Sequence, residues 1–159
     1  MDEADKVAAL RDAVRALDGV GARNALIGGV AVGLRSGVPR ATMDTDLAVV
    51  STVARQTIVR AIVDAGFALR GEFAHSLIFR HTSGEPVQLV FETQFDPMIE
   101  RAEPIRIGDV TVRVVTTADL ITMKERAAGD PARRRSKALR DAADAALLRG
   151  DVPDPDEGW

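Results

Sequence analysis

The chain has no cysteine. Structural disulfides and thiolate-held zinc or iron–sulfur centres are thereby excluded. Imidazole is almost as scarce: His75 and His81 are the only two, so a histidine-rich metal site is excluded as well. No stretch reaches the roughly 18 consecutive apolar residues that a membrane-spanning helix needs. The first apolar run is too short and too interrupted for a signal peptide, so a cytoplasmic location without membrane association is expected. Lysine occurs only at Lys6, Lys124 and Lys137, which makes the basic charge almost all arginine. The net charge of −3 argues against a general nucleic-acid-coating protein, although it leaves room for a local basic site.

What is present is ordinary globular material. The 159 residues are 46% hydrophobic and 28% charged, and that length suits one domain burying about 70% of the surface its unfolded chain exposes. Val7, Leu10, Val14 and Leu17 recur at helical spacing and predict a helix over 4–18, ended near Gly19 and Gly21. Ala25-Leu26-Ile27 reads as a buried strand running into Gly28-Gly29, with a brief helix over 30–35. Leu47 to Val50 reads as a second buried strand, and Ile58 and Ile62 mark a helix up to Gly66. The period then changes: 67–70, 75–81 and 86–92 read as strands, the last two joined across Ser83-Gly84-Glu85. Val110, Val112 and Val114 alternate as another strand. Thr116 stands before Asp119 at capping-box spacing and opens a helix to about Ala128. Asp130-Pro131 reads as the start of a last helix running to about Gly150. The order predicts an α+β fold: a mixed sheet flanked by helices, with a helical C-terminal part over 117–149. Residues 1–150 form one domain on this reading, and the acidic, proline-containing 151–159 is expected to be a disordered tail.

The chemistry concentrates in residues 25–50. Gly28-Gly29 after a strand lets backbone approach a ligand closely, and the following helix offers unpaired N–H groups suited to phosphate. Asp44 and Asp46 stand at i and i+2 at a strand start. Both carboxylates then leave the same face, roughly 7 Å apart along it. Two hard anionic ligands so placed can share one or two magnesium ions that also bind triphosphate oxygens.

A strand, Gly-Gly, a short helix and Asp-x-Asp on the next strand resemble the signature of the polymerase-beta-like nucleotidyltransferase superfamily. Within it the chain is most similar to the small bacterial branch of AbiEii-type toxin nucleotidyltransferases, whose pattern Gly28, Gly29, Ala31, Arg40, Thr42, Asp44, Asp46 and Leu47 fill. Asp119-Leu120-Ile121 with Met123-Lys124 resembles that branch's helix after the sheet. The resemblance implies the minimal nucleotidyltransferase fold and transfer of a nucleoside monophosphate from a triphosphate to an acceptor hydroxyl on RNA, protein or a small molecule. It implies Asp44 and Asp46 as ligands of magnesium or manganese. Gly28, Gly29, Arg40, Thr42 and Lys124 would be nucleotide-binding residues, and the partner a protein of toxin–antitoxin type.

One position departs from the pattern. The family carries a third carboxylate on a later strand, as Val-Asp-Leu-Leu, where this chain has Val87-Gln88-Leu89-Val90. Glutamine offers a carbonyl oxygen but no negative charge and no basic site, and losing a general base costs about 10² to 10⁴ in rate. Glu92 shares the strand face of Gln88 but lies roughly 13 Å further along it. Glu85 is at an odd offset and should point to the other face. Two readings therefore stand: an enzyme weakened at Gln88, or a nucleotide-binding regulatory protein on the same fold; a third, an interaction module with no nucleotide site, would leave Gly28-Gly29 and the paired aspartates unexplained.

Simpler roles are open for several of these residues. Arg40, Thr42 and Lys124 could equally be solvated, and His75 and His81 read as hairpin surface residues. Arg133-Arg134-Arg135 reads first as a solvated face; cations in a first helical turn oppose the helix dipole, and an anionic partner, nucleic acid or phosphate, would relieve that cost. Ala138, Ala142, Ala143 and Ala146 read as a small-residue packing face.

Overall fold

The computed structural model describes residues 3–38 and 44–154. Arg40 and Thr42 lie outside these residues, as does the end of the acidic tail from 155 onward. Helix α1 (Glu3–Gly19) leads into strand β1 (Asn24–Ile27), and helix α2 (Gly28–Ser36) starts on the next residue. Strand β2 (Thr45–Val49), helix α3 (Arg55–Asp64) and strands β3 (Phe67–Glu72), β4 (Ser76–His81) and β5 (Pro86–Val90) follow. A short helix α4 (Asp96–Arg101), the hairpin β6 (Glu103–Ile107) with β7 (Val110–Val114), and helices α5 (Thr117–Ala128) and α6 (Arg135–Leu148) complete the chain.

Among the described residues the strands make one mixed sheet in the order β3-β4-β5-β2-β1-β7-β6. β2 pairs with β5 in parallel and β1 with β7 in parallel; the other neighbours are antiparallel. Each strand interior carries the apolar residues that pairing then stacks. Leu47 lies beside Leu89, which lies beside Leu77, and all three are fully buried. Helix α1 covers this side, reaching β4 and its turn through Asp12 to His81 and Lys6 to Glu85. The other side carries Asp46 and Gln88 in register. The hairpin of α5 and α6 packs on α2, so the C-terminal helices close over the end of the sheet where the two aspartates stand.

Several sequence expectations change in the folded chain. β6 and α4 were not anticipated, and α2 begins on the glycines rather than after them. The last helix starts at Arg135, not at Asp130-Pro131: Asp130 Oδ1 accepts from the Ala132 N–H at 2.9 Å and caps a turn instead. His81 is buried rather than on the surface, its Nε2 2.7 Å from Asp12 Oδ2 and its Nδ1 2.8 Å from Ser83 Oγ. On α6 it is Asp141, Asp144, Ala145 and Leu148 that face inward, while Ala142 and Ala143 are exposed. Thr116 caps α5 by accepting from the Asp119 N–H at 3.2 Å. His75 is exposed, as expected.

Candidate active site

Asp46 is the second residue of β2, set between two neighbours by the sheet register: Ile27 of β1 on one side and Gln88 of β5 on the other. Asp44 stands exposed just before the strand. The chain leaves β1 through Gly28, which has φ +72°. A Cβ there would lie 2.3 Å from Asp46 Oδ2, so this position requires glycine both for its backbone and for the carboxylate beneath it. The neighbouring glycine does something else. Gly29 lines a separate, largely apolar cavity with Val7, Leu10 and Leu34, toward α1.

The Asp46 carboxyl is uncomfortable. Its Oδ1 is buried without a hydrogen-bond partner. Burial and then the nearby Asp44 charge push its pKa from the ordinary 3.8 up to about 6, with Lys124 offsetting part of the rise. Asp46 in this state, with the Asp44 charge near it, fits a hard divalent cation, which would satisfy the orphaned Asp46 oxygen and neutralise the like charges. Among the described residues no third acidic side chain, histidine or cysteine joins them in a metal-holding group. Gln88 is half-buried beside Asp46 and offers only its amide.

Gly28 also lines a cavity of about 500 Å³ whose other walls include Glu92, Phe95, Leu120, Lys124 and Arg133. Glu92, set aside above on strand length, does reach this cavity; its Oε2 accepts from Gln94 Nε2 at 2.7 Å. Glu85 faces the opposite side as expected, fully buried and 3.1 Å from Lys6 Nζ. Lys124 is not simply solvated: its Nζ lies 3.2 Å from Asp141 Oδ1 and 3.0 Å from Asp144 Oδ2 while it lines the cavity. Arg133 is engaged too, its Nε 2.5 Å from Asp141 Oδ2. Reading the arginine run as a solvated face missed this. The available signal was Asp141 and Asp144 at the inward spacing of α6, where apolar residues would otherwise stand.

No protein-family model matches the chain, and no curated relative does. Solved structures do match. The antibiotic-resistance factor ANT(2'')-Ia is 20% identical, with 94% of this chain and 87% of that one aligned at a TM-score of 0.66. The lincosamide antibiotic adenylyltransferase LnuA, in its lincomycin-bound form, is 10% identical, with 91% and 96% aligned at 0.62. An antigenic nucleotidyltransferase-like protein from Paracoccidioides brasiliensis is 22% identical, with 89% and 76% aligned at 0.55. At these identities the likeness is one of fold. The chain has the fold that these nucleotidyltransferases share.

Proposed function

We propose that the protein transfers a nucleoside monophosphate from a nucleoside triphosphate to the hydroxyl of an acceptor, with magnesium or manganese held by Asp44 and Asp46. The observation that carries this reading is the Asp46 carboxylate: desolvated, one oxygen orphaned, pressed under Gly28 and beside a second aspartate. A fold does not maintain such a group cheaply unless something outside the chain completes it. The cation, when bound, supplies positive charge against phosphate oxygens. The residues do the rest. Gly28, having no Cβ, lets the Asp46 carboxylate lie against the backbone at the cavity wall, and Lys124 adds positive charge to that wall. The acceptor hydroxyl attacks the α-phosphorus, pyrophosphate leaves with the electron pair of the broken P–O bond, and the hydroxyl proton passes to base or solvent. Gln88 cannot take that proton.

A small-molecule acceptor is favoured by the neighbours ANT(2'')-Ia and LnuA, whose acceptors are antibiotics. The AbiEii-type resemblance speaks instead for an RNA or protein acceptor and a partner of toxin–antitoxin type. A second reading, a nucleotide-binding protein that has lost turnover, is favoured by Gln88 standing at the register partner of Asp46.

The test has two stages. A ligand that binds only the folded state adds about 2.7 kcal/mol of stability at 100 times its Kd. Triphosphate with magnesium or manganese should therefore raise the unfolding temperature of the wild type and leave Asp44→Ala/Asp46→Ala unmoved. Flat curves for all four triphosphates would sink both readings. Incorporation of label from each α-labelled triphosphate into aminoglycosides, lincosamides, total RNA and protein then separates enzyme from binding protein.

A further inference from the structure

Helix α6 turns Asp141, Asp144, Ala145 and Leu148 inward. With 3.6 residues to a turn, the direction facing away from them belongs to Ser136, Leu139, Ala143 and Ala146. Leu139 is 58% exposed, Ser136 and Ala143 are exposed, and Ala146 is half-buried. The outward stripe of a surface helix is ordinarily its charged one. Here the arginines stand aside from it: Arg140 lies about 100° round the helix from Leu139, and Arg149 is ion-paired with Glu125. Steps of three, four and three residues make the seam of a helix pair, where apolar or small side chains recur every 3.5 residues. Small ones let two helix axes come close.

The two ends of α6 differ in sign. Arg134 and Arg135 at its start are exposed. Their side chains make no ion pair or hydrogen bond among the described residues, whereas Arg133 has Asp141. Cations at a helix start oppose the dipole and call for an anion. Just past the end Asp151 is exposed, and Asp154, Asp156 and Glu157 follow in the sequence.

We propose that this face of α6 is the contact between two copies of the chain, packed antiparallel about a two-fold axis near Ala143. That direction sets Arg134 and Arg135 of one protomer against Asp151 of its partner, and does so at both ends. Parallel packing would bring like charges together instead. Such self-complementarity is what an isologous contact requires. The arginine run gains its anion, and Leu139 gains the alanines of the partner to pack on. The 14 residues of α6 span about 21 Å. One helix pair of that length covers less than the roughly 1,200 Å² of a stable specific interface. The dimer is therefore weak, with a Kd between about 1 µM and 1 mM. Asp141 lines the active-site cavity on the inward side of the helix, so the contact stands or falls apart from the nucleotidyltransferase reading.

Sedimentation equilibrium of the full chain across that concentration range tests it. The wild type should dimerise reversibly, and more weakly in high salt. Leu139→Lys should raise the Kd about tenfold or more, since the seam loses two leucines per dimer. The urea midpoint should stay in place, because Leu139 is exposed in the single chain. Arg135→Glu and Asp151→Arg should each weaken the dimer severalfold, and the two together in one chain should restore it. The absence of cysteine offers a second measurement. Ala143→Cys, beside the axis, should oxidise to a disulfide-linked dimer, while Thr52→Cys, exposed in the turn after β2, should not. A chain that stays monomeric throughout overturns the proposal and leaves the face to a different partner. So does a dimer that Leu139→Lys leaves intact, or one that Thr52→Cys cross-links as readily as Ala143→Cys.

Discussion

Asp46 and Asp119 are the same residue type near the start of an element, and the fold leaves them in opposite states. Asp119, at the first turn of α5, receives two bonds of 2.9 Å from the Arg101 guanidinium, and its own N–H is capped by Thr116. Those bonds hold its pKa below the ordinary value. Asp46, at the start of β2, has one oxygen unpartnered, a second aspartate beside it and a pKa raised to about 6. Both depend on their neighbours, but only Asp119 finds its counter-charge in the chain in direct contact. A carboxylate that serves the fold is completed by the fold. One left incomplete against Gly28, which itself lines a cavity, is the stronger candidate for a ligand.

The largest effect should come from closing the gap over Asp46. In Gly28→Ala the new Cβ meets Asp46 Oδ2 at 2.3 Å on a backbone with φ +72°. Left-handed strain and overpacking each cost about 1–3 kcal/mol, so a loss of about 4 kcal/mol is expected. Gly21→Ala has nearly the same φ, +69°, with nothing within 4 Å, and should lose only about 1 kcal/mol. Urea unfolding of the two variants measures the difference. Equal losses would mean that Asp46 yields easily and that the site is not close-packed.

Neutralising each aspartate should then move stability in opposite directions. Asp46 has a folded pKa above its unfolded one, so its ionised form destabilises the fold at pH above about 6. Asp46→Asn should therefore stabilise the metal-free protein at pH 8 by about 2–3 kcal/mol. The gain shrinks as pH falls through 6 and is gone below the ordinary 3.8. Asp119 is shifted down, so it contributes stability above its unfolded pKa and loses it as pH falls through the lower folded value. Asp119→Asn should be destabilising at pH 8 and neutral in strong acid. Denaturant midpoints at pH 8, 6 and 4 in a chelating buffer decide it. Two losses of the same sign at pH 8 would dissolve the contrast.

That contrast was only half legible in the sequence. Gly28, Asp44 and Asp46 could be singled out because their chemistry is tied to local spacing: a strand end, a turn and alternate residues of one strand. The mixed α+β order could be read for the same reason, since periodicity is local. The partners were not. Arg101 meets Asp119, and Lys124 meets Asp141 and Asp144, across 17 to 20 residues, and nothing in a local pattern announces a pairing set by helix packing. Buried charges on α6 defeated the apolar pattern directly, because Asp141 and Asp144 occupy inward positions that alanines were expected to fill. β7 is legible in its alternating valines but its hairpin partner β6 is not, although a signal exists: Gly108-Asp109 is a two-residue loop between short apolar alternations, and Gly108 has φ +60°. Helix α4 spans six residues, too few for helical periodicity to show.

The smallest effect concerns a carboxylate the site lacks. Gln88→Asp would place a third acid on β5 at the register partner of Asp46. Without metal this adds like charge to a pair already in conflict, so stability at pH 8 should fall and the Asp46 pKa should climb further. With manganese the same charge becomes a ligand, and affinity should rise about tenfold, or about 1.4 kcal/mol. The matching change in the other region is Thr116→Asp, which puts a carboxylate at the N-cap of α5. Aspartate caps a helix as well as threonine does, and the helix dipole favours it there. That variant should be stable without metal and indifferent to manganese. Titrating both with manganese, and following unfolding with and without the ion, compares one added charge in two settings. If Gln88→Asp proves as indifferent to manganese as Thr116→Asp, then Asp44 and Asp46 do not form a metal site. The raised pKa of Asp46 would then be a cost of the fold with no return in binding.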